Sequence, residues 1–421
     1  MTEPYTEKVM LMERQIRALL AGLLITTAAG ASAATDTFVW VPEKDADGRI
    51  LPQSIAKLAP NSWYEVGDTS LQPLKQKIET AMGKSYRALS LGNEDLHSTF
   101  NAWVSGDLGD DGKFYIPWGG GHGATAMNGI WALDIERMGG DSTWTIEQLP
   151  SDPDKPGLEW SAEYRKSKNF TNYRPALAFP ADILPDGMPT SRHQYNGVWF
   201  DKKRKTINQS RGHLWSFDTV KKETIGKVWR VKDKDRYPSI YGNLWYNEFH
   251  DTVVGHLRYD KYGRFDHIRY HPATHEVELH GGLPWNFMGS TCGTRYGDKI
   301  LYLGSDSGSA RWATYDLQAE KMRSGKFKGV SFDYRNEMPA CVYIPAWDKV
   351  LRRMQDPKMQ GKWLTFDPNN KTEGDYAPAG RPPPYDRYPG KKVFYYPPWK
   401  SVIYITARNV DSNAVFVMRT E

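Results

Sequence analysis

Short apolar runs that close on an acidic residue or a substitute for one recur along this chain. They are Trp131-Ala132-Leu133-Asp134, Trp215-Ser216-Phe217-Asp218, Ile268-Arg269-Tyr270-His271, Ala313-Thr314-Tyr315-Asp316, Leu364-Thr365-Phe366-Asp367 and Val415-Phe416-Val417-Met418. Their last residues stand 84, 53, 45, 51 and 51 positions apart, so every interval but the first is one repeat long. Runs of this length, rich in β-branched and aromatic residues, predict strands. Each is preceded by another such run and usually by a glycine turn, as in Ile300-Leu301-Tyr302-Leu303-Gly304 or Val402-Ile403-Tyr404-Ile405. Several are followed by a charged turn and a further strand, for example Trp144-Thr145-Ile146 and Val228-Trp229-Arg230. Four short antiparallel strands in a unit of about fifty residues predict the blade of a β-propeller.

Six such units are visible, and the last is short. After Val415-Phe416-Val417 only four residues remain, whereas Ser62-Trp63-Tyr64-Glu65-Val66 is a strand without a blade. Supplying the missing strand from the N-terminal part of the chain closes the ring and removes two open edges. One helix is expected, over Leu71 to Met82, where Leu71, Leu74, Ile78 and Met82 recur at helical spacing. The long first interval holds an insertion, Ser151 to Pro189, rich in charge, Pro and Asn, which is either a loop excursion or an additional blade.

Composition agrees with an all-β class: 16 Trp, 24 Tyr, 15 Phe, 37 Gly and 27 Pro, with no long amphipathic heptad pattern. At the N-terminus, Lys8, Arg14 and Arg17 precede an apolar run from Ala18 to Ile25 and a small-residue stretch containing Ala31-Ser32-Ala33. This is the pattern of a cleaved export signal, residues 1–33, and the apolar run is shorter than the ~20 residues a membrane span needs. A single propeller domain over 34–421, periplasmic or secreted and monomeric, is the expected mature protein. Cys292 and Cys341 are the two cysteines; one bridge or two buried thiols are both open at this point. The net charge of +5 is mild and lacks the Lys/Arg blocks of a nucleic-acid binder. An acidic glycan suits it better.

The candidate chemistry starts at Trp118-Gly119-Gly120-Gly121-His122-Gly123, between two strands, with Asn128 six residues beyond the histidine. Three glycines remove every Cβ from the approach to His122. After the insertion come Ser191-Arg192-His193-Gln194-Tyr195-Asn196-Gly197 and then Gln209-Ser210-Arg211-Gly212-His213. A propeller directs such strand-end segments to one central pocket, where Arg192, His193, Tyr195 and Arg211 can meet His122. Tyr246 and His256, in the third blade, are expected at the same pocket. Histidine is dense further on, at His250, His256, His267, His271, His275 and His280. A structural zinc drawing on some of these with Cys292 is one reading, and solvent-exposed turn histidines are the other.

Taken together, the glycine turns, aromatic strands and spacing resemble the kelch and galactose-oxidase-type propellers over nearly the whole mature chain, a resemblance that favours seven blades over six. The Gly-Gly-Gly-His turn with Asn128, the Arg-His-x-Tyr strand start, and the Arg-Gly turn sixteen residues after that tyrosine resemble the propeller-fold polysaccharide lyases, the ulvan lyases in particular. The resemblance implies that His122 and Tyr195 transfer protons, in an order left open, and that Arg211 binds the uronate carboxylate, with no cofactor required. Asn128, Arg192, His193, Tyr246 and His256 would bind substrate. That chemistry, β-elimination, asks for fixed positive charge on a developing aci-carboxylate and for an acid and a base flanking the ring. Three alternatives compete. One is a propeller glycoside hydrolase, since Ser305-Asp306-Ser307-Gly308 resembles one imperfect copy of a sialidase aspartate box. A copper-radical oxidase would need a Tyr-Cys crosslink beside two histidines, and neither cysteine is so placed. The third is a secreted propeller that binds glycan or protein without turnover.

Overall fold

The computed structural model describes residues 38–421 apart from 91–95, 102–103, 120–126, 153, 155–183, 185, 190, 192–193, 195, 212, 228–229, 232–238, 259–264, 283–290, 307–308, 330–338, 355–360 and 387–388. The expected export segment, 1–33, lies outside the described residues. The strands pair into six small sheets, and each recurrent run of the sequence is the third strand of one of them. Blade 1 comprises Asp107–Leu108, Lys113–Pro117, Ile130–Asp134 and Trp144–Gln148; blade 2 comprises Val198–Asp201, Thr206–Arg211, His213–Asp218 and Glu223–Lys227. Blade 3 comprises Ser239–Asn247, Thr252–Arg258, Phe265–His271 and Glu276–Gly282, with Arg230–Val231 added in parallel at its outer edge. Blade 4 runs through Cys292–Tyr296, Lys299–Asp306, Ser309–Asp316 and Lys321–Lys326, and blade 5 through Ala340–Ile344, Lys349–Arg353, Trp363–Asp367 and Thr372–Tyr376. The fourth strand of blade 2 is thus Glu223–Lys227, five residues ahead of the expected Val228-Trp229-Arg230.

The recurrent aspartate has a local cause. Asp218 accepts from the backbone N–H groups of Val220 and Lys221, Asp316 from those of Gln318 and Ala319, and Asp367 from those of Asn369 and Asn370. Each thereby fixes the hairpin into the fourth strand as an Asx turn. The turn then needs a left-handed residue, supplied by Lys222, Glu320 and Lys371 at φ of 60°, 52° and 57°.

Blade 6 takes Val393–Tyr396, Ser401–Ile405 and Val415–Arg419 from the end of the chain and Ser62–Val66 as its fourth strand, with Trp63 opposite Met418 and Glu65 opposite Phe416. The closure expected from the short last repeat is therefore present. Trp63 and Val66 are fully buried, and Trp63 packs 5.4 Å from Trp363 of blade 5. An indole buries about 150–250 Å², which at about 25 cal/mol per Å² is worth roughly 4–6 kcal/mol as an upper bound. The expected helix spans Gln72–Met82, buries Leu74 and Ile78, and ends at Gly83, whose φ of 64° closes it in the left-handed region.

Contacts join every pair of neighbouring blades. Phe200 N–H donates to Asp107 Oδ2 at 3.0 Å (blades 1 and 2), and Leu244 N–H to Asn196 O at 3.3 Å (blades 2 and 3). His256 and Tyr302 rings lie 5.4 Å apart (blades 3 and 4), Trp363 and Tyr404 6.3 Å (blades 5 and 6), and Phe394 stacks on Phe114 at 4.6 Å (blades 6 and 1). Blades 4 and 5 are joined covalently, by a Cys292–Cys341 disulfide between their innermost strands with Cα atoms 5.7 Å apart. The ring is a six-bladed β-propeller among the described residues, and the preference for seven is corrected. Blades 1 and 2, which flank the insertion 151–189 in sequence, are direct neighbours, so the ring passes from one to the other with no blade between.

Candidate functional site

The innermost strands run parallel around the axis, as the Asn196–Asn243 bridge between blades 2 and 3 shows. They all start at one end of the ring, the end at which second strands hand over to third strands. We call it the mouth. The segments singled out from sequence belong to it: Pro117 pairs with Ile130 across the glycine turn, Val198 with Gln209, and Arg211 with His213. His122, Arg192, His193 and Tyr195 themselves lie outside the described residues. So does the side chain of Arg211, whose backbone ends the second strand of blade 2.

What is described at the mouth ties two of those segments together through a residue that sequence reasoning passed over. Gln194, fully buried, donates from Nε2 to Pro117 O and accepts at Oε1 from Ser105 N–H at 2.8 Å. It therefore clamps the approach to blade 2 onto the end of the strand that enters the glycine turn. The clamp explains one glycine: a Cβ on Gly119 would lie 2.8 Å from Gln194 Oε1. Trp118, buried with a φ of 43°, makes the bend into that turn, and its N–H donates to Gly129 O at 2.9 Å.

Asn128 has another role than the expected substrate donor. Its Nδ2 donates to Ser151 Oγ and Pro189 O, both at 2.8 Å, and its Oδ1 accepts from Ser151 N–H at 2.7 Å. Both ends of the insertion are thus held by one fully buried amide, which leaves it no donor for a ligand. Tyr246 lies at the opposite end of its strand, where its hydroxyl donates to Asp251 Oδ1 at 3.0 Å beside the Arg204 guanidinium. His256 is at the mouth end but buried, with Asn243 Nδ2 at 3.3 Å from Nε2. Burial, and then the charge of nearby His267, push its imidazole down to about 3. It stays neutral at any working pH and is a packing residue rather than a proton carrier.

The zinc reading loses ligands among the described residues, and the side chain of His280 lies outside them. Cys292 is spent in the disulfide, His267 packs 4.3 Å from the Tyr315 ring, and His275 Nδ1 meets the Tyr270 hydroxyl at 2.8 Å. Among the described residues no three His, Cys, Asp or Glu side chains come together as a metal site. His250 is the exposed turn histidine of the alternative reading, 2.9 Å from Gln318 O.

The axis below the mouth is occupied by a lysine. Lys391, leading into the innermost strand of blade 6, reaches across the ring and donates from Nζ to Val198 O at 2.7 Å and Leu244 O at 2.5 Å. These are edge carbonyls of the innermost strands of blades 2 and 3, which have no further strand to pair with. The ammonium also sits 4.1 Å from the Trp245 ring centre. Burial brings its pKa down to about 8, opposed by Asp107 at 4.0 Å, so it is mostly charged at neutral pH. Its neighbour Lys392 is buried too, paired with Asp386 at 2.8 Å. On or beside the first two strands of blades 2 to 4, Asn196 Oδ1, Gln209 Oε1, Ser210 Oγ, Asn243 Oδ1 and Thr291 Oγ1 are buried and have no hydrogen-bond partner among the described residues. Buried polar atoms of this kind are ordinarily matched by water or ligand. The mouth is thus a polar floor, rich in acceptors, over a fixed positive charge.

No protein-family model matches this sequence, and no curated protein does. Among solved structures the chain is similar to YjhT, at 11% identity and a TM-score of 0.42 over 76% of this chain and 97% of that one. It is similar to a chain of the mitotic checkpoint complex, at 6% identity and 0.39 over 77% and 90%. An auxiliary nutrient binding protein from Bacteroides thetaiotaomicron gives 8% identity and 0.42 over 76% and 69%. No helix among the described residues is long and apolar enough to cross a membrane.

Proposed function

We propose that this chain is an exported polysaccharide lyase, cleaving a uronate-containing glycan by β-elimination at the mouth of the ring. His122 and Tyr195 form the acid and base pair, and Arg211 neutralises the carboxylate whose α-proton is removed. The observation that carries the reading is the Gln194 clamp, which fastens the segment of Arg192, His193 and Tyr195 to the strand leading into the His122 turn. A disulfide between innermost strands supports an oxidising compartment, and the axial ammonium adds positive potential beneath an acidic substrate.

Lyase action leaves a 4,5-unsaturated uronate that absorbs in the ultraviolet, whereas hydrolysis or binding leaves none. Ulvan, glucuronan, alginate, pectate and glycosaminoglycans would be assayed by that absorbance. His122→Ala and Tyr195→Phe should each lower the rate by about 10²- to 10⁴-fold, and Arg211→Ala should also weaken binding. Should none of the polymers give the unsaturated product, or should both variants keep the wild-type rate, the reading falls. Retained affinity for a polymer without product would identify a glycan-binding propeller instead.

A further inference from the structure

The second strand of a propeller blade is buried on both faces and is normally apolar. Opposite the second residue of the recurrent run, blades 1, 3, 4 and 5 carry Tyr115, Val254, Leu301 and Leu351, each packed toward the next blade, and blade 6 turns Ile403, opposite Val417, the same way. Blade 2 carries Asn208, opposite Ser216. Asn208 is 4% exposed, so blade 2 presents to blade 3 a buried polar surface where every other blade packs a large apolar side chain. Internal hydrogen bonds offset its desolvation, but it forgoes the apolar packing that the other blades have at this position. A cavity of ≈ 240 Å³ lies over it, between blades 2 and 3, lined among others by Thr206, Asn208, Ser216, Asp218, Ile225 and Tyr270. It opens beside the hairpins of Arg204 and His275, at the end of the ring opposite the mouth.

We propose that this interblade cavity is a second binding site, and that it takes one neutral, hydroxyl-rich sugar unit. The volume falls below the roughly 300–1,000 Å³ of clefts for drug-sized ligands, which suits a single ring. The hydrogen-bond inventory sets the chemistry. Ser216 Oγ donates to Asn208 Oδ1 at 2.6 Å, and Asn208 Nδ2 donates to Thr206 O at 2.9 Å and Thr206 Oγ1 at 3.0 Å. The Arg204 guanidinium is committed to Asp201 at 2.8 Å and to Asp251 at 2.6 Å and 2.9 Å. With these donors engaged, the walls present chiefly acceptor lone pairs, on Ser216, Thr206 and the Asp201 and Asp218 carboxylates, which favours a ligand that donates. An anion would face two carboxylates. An ammonium would find Asp201 already neutralised by Arg204, with only Asp218, held by the Val220 and Lys221 N–H groups, left to pair with it. Hydroxyls fit, with Tyr270 and Ile225 as apolar walls for the C–H face of a ring.

Saturation-transfer NMR on the full chain tests this with glucose, galactose, xylose and rhamnose as neutral probes, glucosamine as the ammonium probe and glucuronate as the anion. At least one neutral sugar should bind, and better than glucosamine or glucuronate. Asn208→Leu combined with Ser216→Ala puts the residue of blades 4 and 5 into blade 2; it should weaken binding at least tenfold while the thermal midpoint holds or rises. Ile225→Arg, at a position 37% exposed, should weaken binding equally without disturbing the fold. Polymer cleavage at the mouth should be unchanged in both variants, which separates this site from the proposed lyase centre. No neutral sugar binding, preference for a charged probe, or wild-type affinity in both variants would overturn the proposal.

Discussion

Removing the bridge between blades 4 and 5 is the perturbation whose size is best set by the structure. Cys292 and Cys341 are 49 residues apart in sequence, and the loop-entropy relation assigns a loop of that length about 4 kcal/mol at 25 °C. The native strands do not depend on the bond for their placement, because Tyr343 N–H also donates to Thr294 Oγ1 across the same blade boundary at 3.0 Å. Loss of the bond should therefore act chiefly by freeing the unfolded chain. For 421 residues, an unfolding entropy of about 2.1 cal/mol/K per residue turns 4 kcal/mol into a fall in Tm of roughly 5 °C. The experiment compares wild type, with and without dithiothreitol, to the Cys292→Ala/Cys341→Ala variant by urea unfolding and by thermal scan. Reductant should bring the wild type to the midpoint of the variant and leave the variant unmoved. A wild type that is indifferent to reductant and unfolds together with the variant would refute the reasoning.

Trp63→Ala leaves a hole in the strand that closes the ring and should cost about 3–5 kcal/mol; a urea midpoint within experimental error of wild type would show that closure does not depend on it. His256 is held neutral, its pKa pushed down from 6.5 to about 3. A depressed histidine stabilises fully above its unfolded pKa, and that stability is lost as pH falls from 6.5 toward 3. At about 1.4 kcal/mol per unit the loss is roughly 5 kcal/mol. His256→Gln should flatten the fall in stability between pH 7 and pH 4, and an unchanged slope would place the acid sensitivity elsewhere.

The six repeat units, the closing strand and the helix were legible because each rests on a local pattern: Asx turns at Asp218, Asp316 and Asp367, a strand at Trp63 without a sheet, apolar residues at helical spacing; the preference for a seventh blade came from resemblance and had no such pattern behind it. What misled was chemistry without context. Asn128 and Tyr246 are of the right type for a sugar site, but one clasps the insertion and the other donates to Asp251 at the far end of the ring. Lysine is ordinarily exposed, so nothing in Gly390-Lys391-Lys392 announced two buried ammonium groups. Gln194 stood inside a quoted motif and was passed over for its reactive neighbours. The one sequence signal left unused was Thr206-Ile207-Asn208-Gln209-Ser210, a polar second strand among apolar ones.

The fourth strand of blade 6 is made before any blade, and its partner, Val415–Arg419, is made after all of them. During synthesis the chain is therefore an arc with two open edges, however well its individual sheets have formed, and only the last strand turns the arc into a ring. A chain caught before that moment can pair its free edges with another copy of itself, so misassembly should be decided in the interval before closure. Once closed, the ring can reopen only by parting a strand pair that buries Trp63 and Val66 against Val415 to Met418, which makes its lifetime a matter of kinetics more than of the depth of the folded state.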